Sequence, residues 1–314
     1  PVMAITGDAH GNIWIGDSAG DLYECKDNVF RKYDKAAGFN GFPIVALLPT
    51  VEGAIWVGTL GGGLGRFKDG KVEFLGDRAG LNDTVITQLI QDQAGWMWVG
   101  SSRGICRVFT AELVAVLEGR KPKANAVQFG PSDGLMNVEC VAEHQPSAWL
   151  TRAGQIRFAT SKGVVSFDPA AIPVNSQSPP LVLESVFADG RPVPTDSKLS
   201  LPHDFSKIEF RYTATSFMAP DKVRFKRLLE GFDEDWIEDG PVRRAVYPRL
   251  PPGQYVFKFT ACNNDGVWND QPYQYAFEVV PAFWQTAWFR AGVIVGFAGL
   301  VGGAVLITVR VRQR

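Results

Sequence analysis

A short phrase returns four times along the chain. It reads Gly11-Asn12-Ile13-Trp14-Ile15-Gly16, then Gly53-Ala54-Ile55-Trp56-Val57-Gly58, then Gly95-Trp96-Met97-Trp98-Val99-Gly100. A fourth, degraded copy reads Gly154-Gln155-Ile156-Arg157-Phe158-Ala159. The first two steps are both 42 residues. A fixed period of this size means a stacked or radial array of equal units, and it matches one four-stranded propeller blade.

Each unit carries more than its tryptophan. Six residues beyond each Trp, or beyond Arg157, stands a glycine: Gly20, Gly62, Gly104 and Gly163. Gly38-Phe39, Gly80-Leu81 and Gly134-Leu135 then recur, each followed by an apolar run. The unit therefore reads as strand, glycine turn, strand, polar hairpin, strand, loop, strand. Ile13, Ile15, Ile55, Val57, Met97 and Val99, flanked by turn residues, suit half-buried strands. Asp69-Gly70 is a two-residue hairpin signal. The third unit is longer, and its insert includes Thr110–Gly119, which reads as a short capped helix. A helix inserted in a blade loop is expected on a face of the disc, where function usually lives.

A proline-rich stretch from Asp168 to Pro180 marks a boundary. Beyond it, strand candidates follow at Leu181–Val186, Lys207–Tyr212, Val223–Leu228, Arg244–Tyr247, Tyr255–Cys262 and Tyr273–Val280. Their number and spacing suggest an immunoglobulin-like sandwich. Ala291 to Val309 then runs without a charge, long enough at 1.5 Å per residue to cross a bilayer core of about 30 Å. Phe283, Trp284, Trp288 and Phe289 precede it as an aromatic belt. Arg310, Arg312 and Arg314 follow it, against Arg290 alone on the other flank. By the positive-inside rule the C-terminus is cytoplasmic and residues 1–281 are outside. Gly292 and Gly296, like Gly299 and Gly303, have the G-x-x-x-G spacing of helix dimers, although glycines without a partner read equally well.

The pattern G-x-I-W-I-G-T-x-x-G-G-L, clearest from Gly53 to Leu64, resembles the two-component regulator propeller repeat. The segment Phe210–Asp270, with its LEGFDEDW and LPPGQYVFKFTACNNDGVW stretches, resembles the triple-tyrosine (Y_Y_Y) domain that follows such propellers. The order repeat, Y_Y_Y domain, membrane helix implies the extracytoplasmic sensor half of a bacterial histidine kinase, hybrid kinase or diguanylate cyclase. It also implies a propeller larger than four blades, so these repeats read as an incomplete arc of a longer polypeptide. Where that family carries a tyrosine before LEGF, this chain has Arg227, which leaves one of the three tyrosines unassigned.

The expected fold is thus all-β: a partial or small propeller of about four blades (1–168), a linker (169–180), an immunoglobulin-like domain (181–281) and a transmembrane helix (288–310). A formal charge of −1, from 32 basic and 33 acidic residues, argues against a nucleic-acid surface. Cys25, Cys106, Cys140 and Cys262 lack metal-ligand spacing. Cys106 and Cys140 could bridge in an oxidising compartment or stay buried as thiols. His10, His144 and His203 stand far apart. Asp233, Glu234, Asp235, Glu238 and Asp239 around Trp236 hint at calcium, but Ile237 stands where the calcium-loop pattern needs oxygen. Asn263-Asn264-Asp265-Gly266 is a turn before it is a site. Tyr212, Tyr247 and Tyr255 could stack on a ligand, yet such tyrosines in a sandwich are usually core. Gly61-Gly62-Gly63-Leu64-Gly65 lacks the lysine of a phosphate loop. No catalytic, cofactor-binding or metal residues emerge, and no ligand-binding residues can be named. The expected partners are a small-molecule or saccharide ligand, the membrane and a second copy. A membrane-tethered propeller lyase or glycosidase is the competing reading.

Overall fold

The computed structural model describes residues 1–135, 139–142, 146–195, 199–285 and 287–312; His144 and Arg314 lie outside them. The chain divides into two compact units, Pro1–Val174 and Asn175–Arg314.

In the first unit every repeat becomes one antiparallel sheet. The first holds β1 (Val2–Gly7), β2 (Ile13–Asp17), β3 (Leu22–Lys26) and β4 (Val29–Tyr33). The second holds β5 (Ile44–Pro49), β6 (Ile55–Thr59), β7 (Leu64–Lys68) and β8 (Lys71–Phe74). The third holds β9 (Ile86–Gln91), β10 (Trp96–Ser101), β11 (Gly104–Phe109) and, after the helix α1 (Thr110–Leu117), β12 (Ala126–Phe129). The fourth has three strands among the described residues: β13 (Ala148–Leu150), β14 (Ile156–Thr160) and β15 (Gly163–Phe167). The β3–β4 and β7–β8 hairpins turn on Asp27-Asn28 and Asp69-Gly70, all at positive φ, as tight primed turns require.

Three apolar cores lie between successive sheets. The first joins Trp14, Leu22 and Phe39 to Ile44, Ile55 and Val72. The second joins Trp56 and Leu75 to Ile86, Met97 and Val108. The third joins Trp98 and Ile105 to Ile156 and Phe158. The repeat tryptophan therefore always faces the next sheet. The repeat glycine is dictated by the same contact. A Cβ on Gly16 would lie 2.4 Å from Ile44, one on Gly58 2.7 Å from Ile86, and one on Gly100 3.0 Å from Phe158. In the fourth unit Arg157 is exposed where the others bury Trp, and Ala159 replaces the glycine.

The flank of the first sheet tells the complementary story. Moving 42 residues along the repeat, Ile44, Ile55 and Val72 are 0%, 1% and 8% exposed, whereas Val2, Ile13 and Phe30 are 64%, 43% and 64% exposed. The same apolar face is covered in the second sheet and bare in the first.

The inserted helix corrects one expectation. Rather than presenting a functional face, α1 buries Leu113 and Val116 with Leu75, Ala79 and Ala124, filling the core between the second and third sheets. Its N-cap is Phe109, with no side-chain cap; Thr110 is already helical.

The second unit is a two-sheet sandwich. Its strands are β16 (Leu181–Ala188), β17 (Arg191–Val193), β18 (Leu199–Leu201), β19 (Lys207–Ala214), β20 (Arg224–Glu230), β21 (Ile237–Gly240), β22 (Arg244–Pro248), β23 (Gly253–Cys262) and β24 (Tyr273–Val279). They pair in the orders β17-β16-β19-β22 and β18-β24-β23-β20-β21. Phe210, Tyr212 and Tyr247 from one sheet and Phe225, Phe257 and Phe277 from the other share one core. Three strands, β17, β18 and β21, escape the sequence reading because each is only three or four residues long. Part of the linker belongs here: Asn263 Nδ2 donates to the carbonyls of Asn175 (2.7 Å) and Gln177 (2.8 Å), and the Asn175 amide donates to Asp265 (2.7 Å).

The expected membrane span falls within α2 (Ala287–Arg312). Ile294, Val295, Phe297 and Leu300 on it are all exposed. Among the described residues, no helix is long and apolar enough to cross a membrane.

Candidate functional site

Each sheet's first hairpin is locked by a residue six positions before the repeat tryptophan. Asp8 accepts the amides of His10 and Asn12 (both 2.9 Å) on Oδ1 and the Trp14 indole N–H (2.9 Å) on Oδ2. Asp92 repeats this with Ala94 (2.9 Å), Trp96 (3.0 Å) and the Trp98 indole (2.8 Å). Burial pushes the Asp8 carboxyl up in pKa, but these hydrogen bonds outweigh it and hold the group below the usual carboxylate range. Thr50 and Thr151 fill the place in the second and fourth sheets, each accepting one amide. The Asp-to-Trp spacing was present in the sequence and is the signal the repeat reading overlooked.

These turns frame a cleft of about 590 Å³ between the third and fourth sheets. One wall is Asp92, Gln93 and Trp96; the other is Thr151 and Arg152, with Asp168 and Ile172 beyond. At its base the Arg107 guanidinium lies 4.8 Å from the Trp96 ring centroid and 5.9 Å from that of Trp98, a cation–π stack that fixes the planar group. Sequence reasoning missed this constellation because Trp96 and Arg107 are cross-strand neighbours of the repeat, while Arg152 and Asp168 come from elsewhere. The lining carries two carboxylates and two guanidinium groups, so its net charge is near zero. An aromatic face beside paired hydrogen-bonding groups suits a neutral, hydroxyl-rich ligand. Both carboxylates already serve the backbone: Asp92 as above, and Asp168 by accepting the Ala170 amide at 2.9 Å.

A smaller polar pocket of about 290 Å³ lies at the opposite ends of the strands, lined by Gly63, Asp77, Asn82, Asp83 and Arg103. Burial raises the Asp83 pKa, but the Ser102 hydroxyl (2.5 Å) and the amides of Val85 and Arg103 more than offset it, so Asp83 is held low. It fastens loops. The glycine cluster is likewise a turn: the amides of Gly61 and Gly63 both donate to the Thr84 carbonyl.

The remaining candidates are structural. Cys106 and Cys140 are buried free thiols, and burial pushes them up to about 12 and about 11. His10 and His203 belong to different units. In the sandwich, Tyr212 donates to Asp239 (2.8 Å) and Tyr247 to Asp233 (2.8 Å). Arg227 lies between them, donating to Asp239 (2.7 Å) and to the Tyr247 hydroxyl (2.6 Å). Burial first, and then the carboxylate partners, raise both tyrosine pKa values. Two of the five acidic residues around Trp236 thus point into the fold, while Glu234, Asp235 and Glu238 are exposed. Tyr255 donates to the Pro251 carbonyl at 2.7 Å. All three tyrosines belong to the buried core of the sandwich.

Comparison with known proteins agrees with the two modules. Residues 80–103 match the family model "Two component regulator propeller", and residues 216–280 match the Y_Y_Y domain model. A curated relative, histidine kinase P4 of Formosa agariphila, is 25% identical over 177 residues, covering 52% of this chain and 13% of its own. The extracellular domain of a hybrid two component system from B. thetaiotaomicron superposes with a TM-score of 0.68 at 20% identity, over 89% of this chain and 38% of its own. A second such domain from B. thetaiotaomicron aligns over 89% of this chain and 36% of its own at 17% identity, with a TM-score of only 0.38. The chain spans well under two thirds of each.

Proposed function

We propose that this chain is the extracytoplasmic sensor portion of a membrane-bound two-component receptor, and that the cleft holding Trp96 and Arg107 takes a neutral saccharide-like ligand. The observation that carries the reading is the presence, in one chain and in this order, of the propeller match and the Y_Y_Y match. A ligand can shift a receptor only through differential affinity for two states. Here Asp168 and Ile172, which line the cleft, lead directly into the segment joining the two units. The sequence from Ala291 to Val309 would carry the change across the membrane, with Gly292, Gly296, Gly299 and Gly303 allowing helix pairing in a dimer. The output domain, a histidine kinase or a diguanylate cyclase, would lie beyond Arg314. An enzymatic propeller is the weaker reading, because glycosidic acid–base chemistry needs a free carboxylate pair and Asp92 and Asp168 are both committed to backbone amides.

Titrating the intact receptor with a panel of neutral and acidic oligosaccharides tests the site. Trp96→Ala is expected to weaken the best ligand at least tenfold, about 1.4 kcal/mol, while Trp149→Ala on the fourth sheet's other face leaves it unchanged. Affinity indifferent to Trp96→Ala would rule this cleft out. For topology, a reporter fused after Arg314 is expected to be active only in its cytoplasmic form; the reverse result removes the receptor arrangement.

A further inference from the structure

The outward face of the sandwich's four-stranded sheet gathers three arginines that its packing does not require. On β19 the residues Ile208, Phe210 and Tyr212 are buried in the core, so Glu209, Arg211 and Thr213 face outward. Glu209 is nevertheless only 6% exposed. Two arginines hold it, one on each carboxylate oxygen. Arg211 donates its Nε–H to Oε1, and Arg244 on β22 donates a terminal N–H to Oε2, both at 2.9 Å.

Strand register sets Arg211 directly opposite Arg244. Like charges directly opposed across a sheet are destabilising, and one arginine meeting Glu209 with both prongs of its fork would satisfy the carboxylate. The second arginine is more than the fold asks for. A third joins the pair. The Arg243 guanidinium lies 3.4 Å from the Thr213 hydroxyl and 3.5 Å from the Pro220 carbonyl. Thr213 is the next outward residue after Arg211, and alternate residues on one face of a strand stand about 7 Å apart. That separation is close to the span of one oxyanion accepting a hydrogen bond of about 2.8 Å on each side.

The three guanidinium groups are oriented but not used up. Each carries five N–H donors. Arg211 and Arg244 commit one apiece to Glu209, and Arg243 commits two to long contacts with neutral oxygens. The Arg211 group also lies 4.6 Å from the Phe187 ring centroid, which fixes its plane. The side chains of Arg211 and Arg244 are 52% and 55% exposed, so their other donors are open to solvent. Three positive charges against the one negative charge of Glu209 leave two.

We infer that Arg211, Arg243 and Arg244 form a binding site for a compact oxyanion, a phosphate or sulfate group, with the Thr213 hydroxyl as a further donor. Guanidinium forks offer paired N–H bonds to such a group. The surplus of two charges balances a phosphate or sulfate dianion. Because Glu209 and Phe187 already orient the arginines, little side-chain entropy is left to lose on binding. The site shares no residue with the cleft around Trp96 and Arg107, so it stands or falls independently of the saccharide reading.

Isothermal titration calorimetry of the intact polypeptide tests it, with sodium phosphate, sodium sulfate and glucose 6-phosphate as probes and sodium chloride of equal ionic strength as the blank. Saturable binding of at least one of the three is expected, together with a higher unfolding midpoint of the sandwich in its presence. Arg243→Gln is expected to weaken that binding about tenfold or more. Arg243 is not paired with Glu209, so this variant should unfold at the same urea concentration as the parent. Arg191→Gln removes another exposed charge from β17 of the same sheet and should leave the affinity unchanged. Tighter binding of glucose 6-phosphate than of inorganic phosphate assigns the site to a group carried on a larger ligand, and the reverse order to the free ion; both support it. Heats no greater than those with sodium chloride, or equal losses in Arg243→Gln and Arg191→Gln, would overturn the inference.

Discussion

Replacing Arg227 with leucine is expected to destabilise the sandwich by about 3 kcal/mol. Arg227 and Asp239 pair at 2.7 Å with side chains only 17% and 12% exposed, so neither is well solvated. The guanidinium also ties Tyr247, which donates to Asp233, and Asp233 in turn accepts the Leu229 amide at 2.7 Å. This chain crosses from β19 and β22 in one sheet to β20 and β21 in the other. Leucine would strand two carboxylates near a phenylalanine-rich core, and leaving a charge without its partner is what makes such losses large. Urea unfolding followed by tryptophan fluorescence measures it. The comparison is Lys258→Ala, which breaks a more exposed pair with Glu230 and should cost about 0.5 kcal/mol or less. A loss below 1 kcal/mol for Arg227→Leu would mean that water reaches Asp239 and Asp233 and that the network is ornamental to stability.

The second large effect separates two copies of one repeat position. Trp98→Ala is expected to cost about 4 kcal/mol, because it deletes a fully buried ring from the core between the third and fourth sheets. It also removes the indole donor from Asp92. Arg157→Ala, at the equivalent place in the fourth unit, should change stability by less than about 0.5 kcal/mol, since Arg157 is exposed. Thermal or urea unfolding of the two variants gives the contrast directly. Comparable losses at both positions would show that the outer face of the fourth sheet is packed against something, contrary to the geometry described above.

The same two positions show how much of the molecule could be read from the chain. Trp98 and Arg157 occupy one column of a repeat that is visible without coordinates, and the sheet each belongs to follows from its period and its turn glycines. Strand alternation and hairpin chemistry are local properties, so β1 to β15 were legible apart from their exact ends. The role of α1 was not. Its apolar residues are equally consistent with a surface helix and with a plug between sheets, and only contact with Leu75 and Ala79 decides. The acidic run around Trp236 failed in a similar way. Nothing local distinguishes Asp239, bound to Arg227 twelve residues earlier, from Glu238 beside it in solvent; strand alternation in β21 sends one inward and the other out. The cleft was illegible for a third reason, since Trp96, Arg107, Arg152 and Asp168 meet only when two sheets stack.

The sequence by itself determined the unit: a strand-turn-strand module of 42 residues, its apolar face, its turn glycines, and the order in which repeats, second domain and uncharged segment follow one another. Those properties are written at separations shorter than one repeat, where backbone conformation and side-chain alternation govern. The tertiary structure decided what each unit leans on. It showed that the Trp and Gly of the repeat exist to receive the next sheet, and that Arg157 lies exposed where the other units bury a tryptophan. Packing between sheets joins residues tens of positions apart. A periodic sequence makes every unit look alike, and only that packing tells the end of an array from its middle.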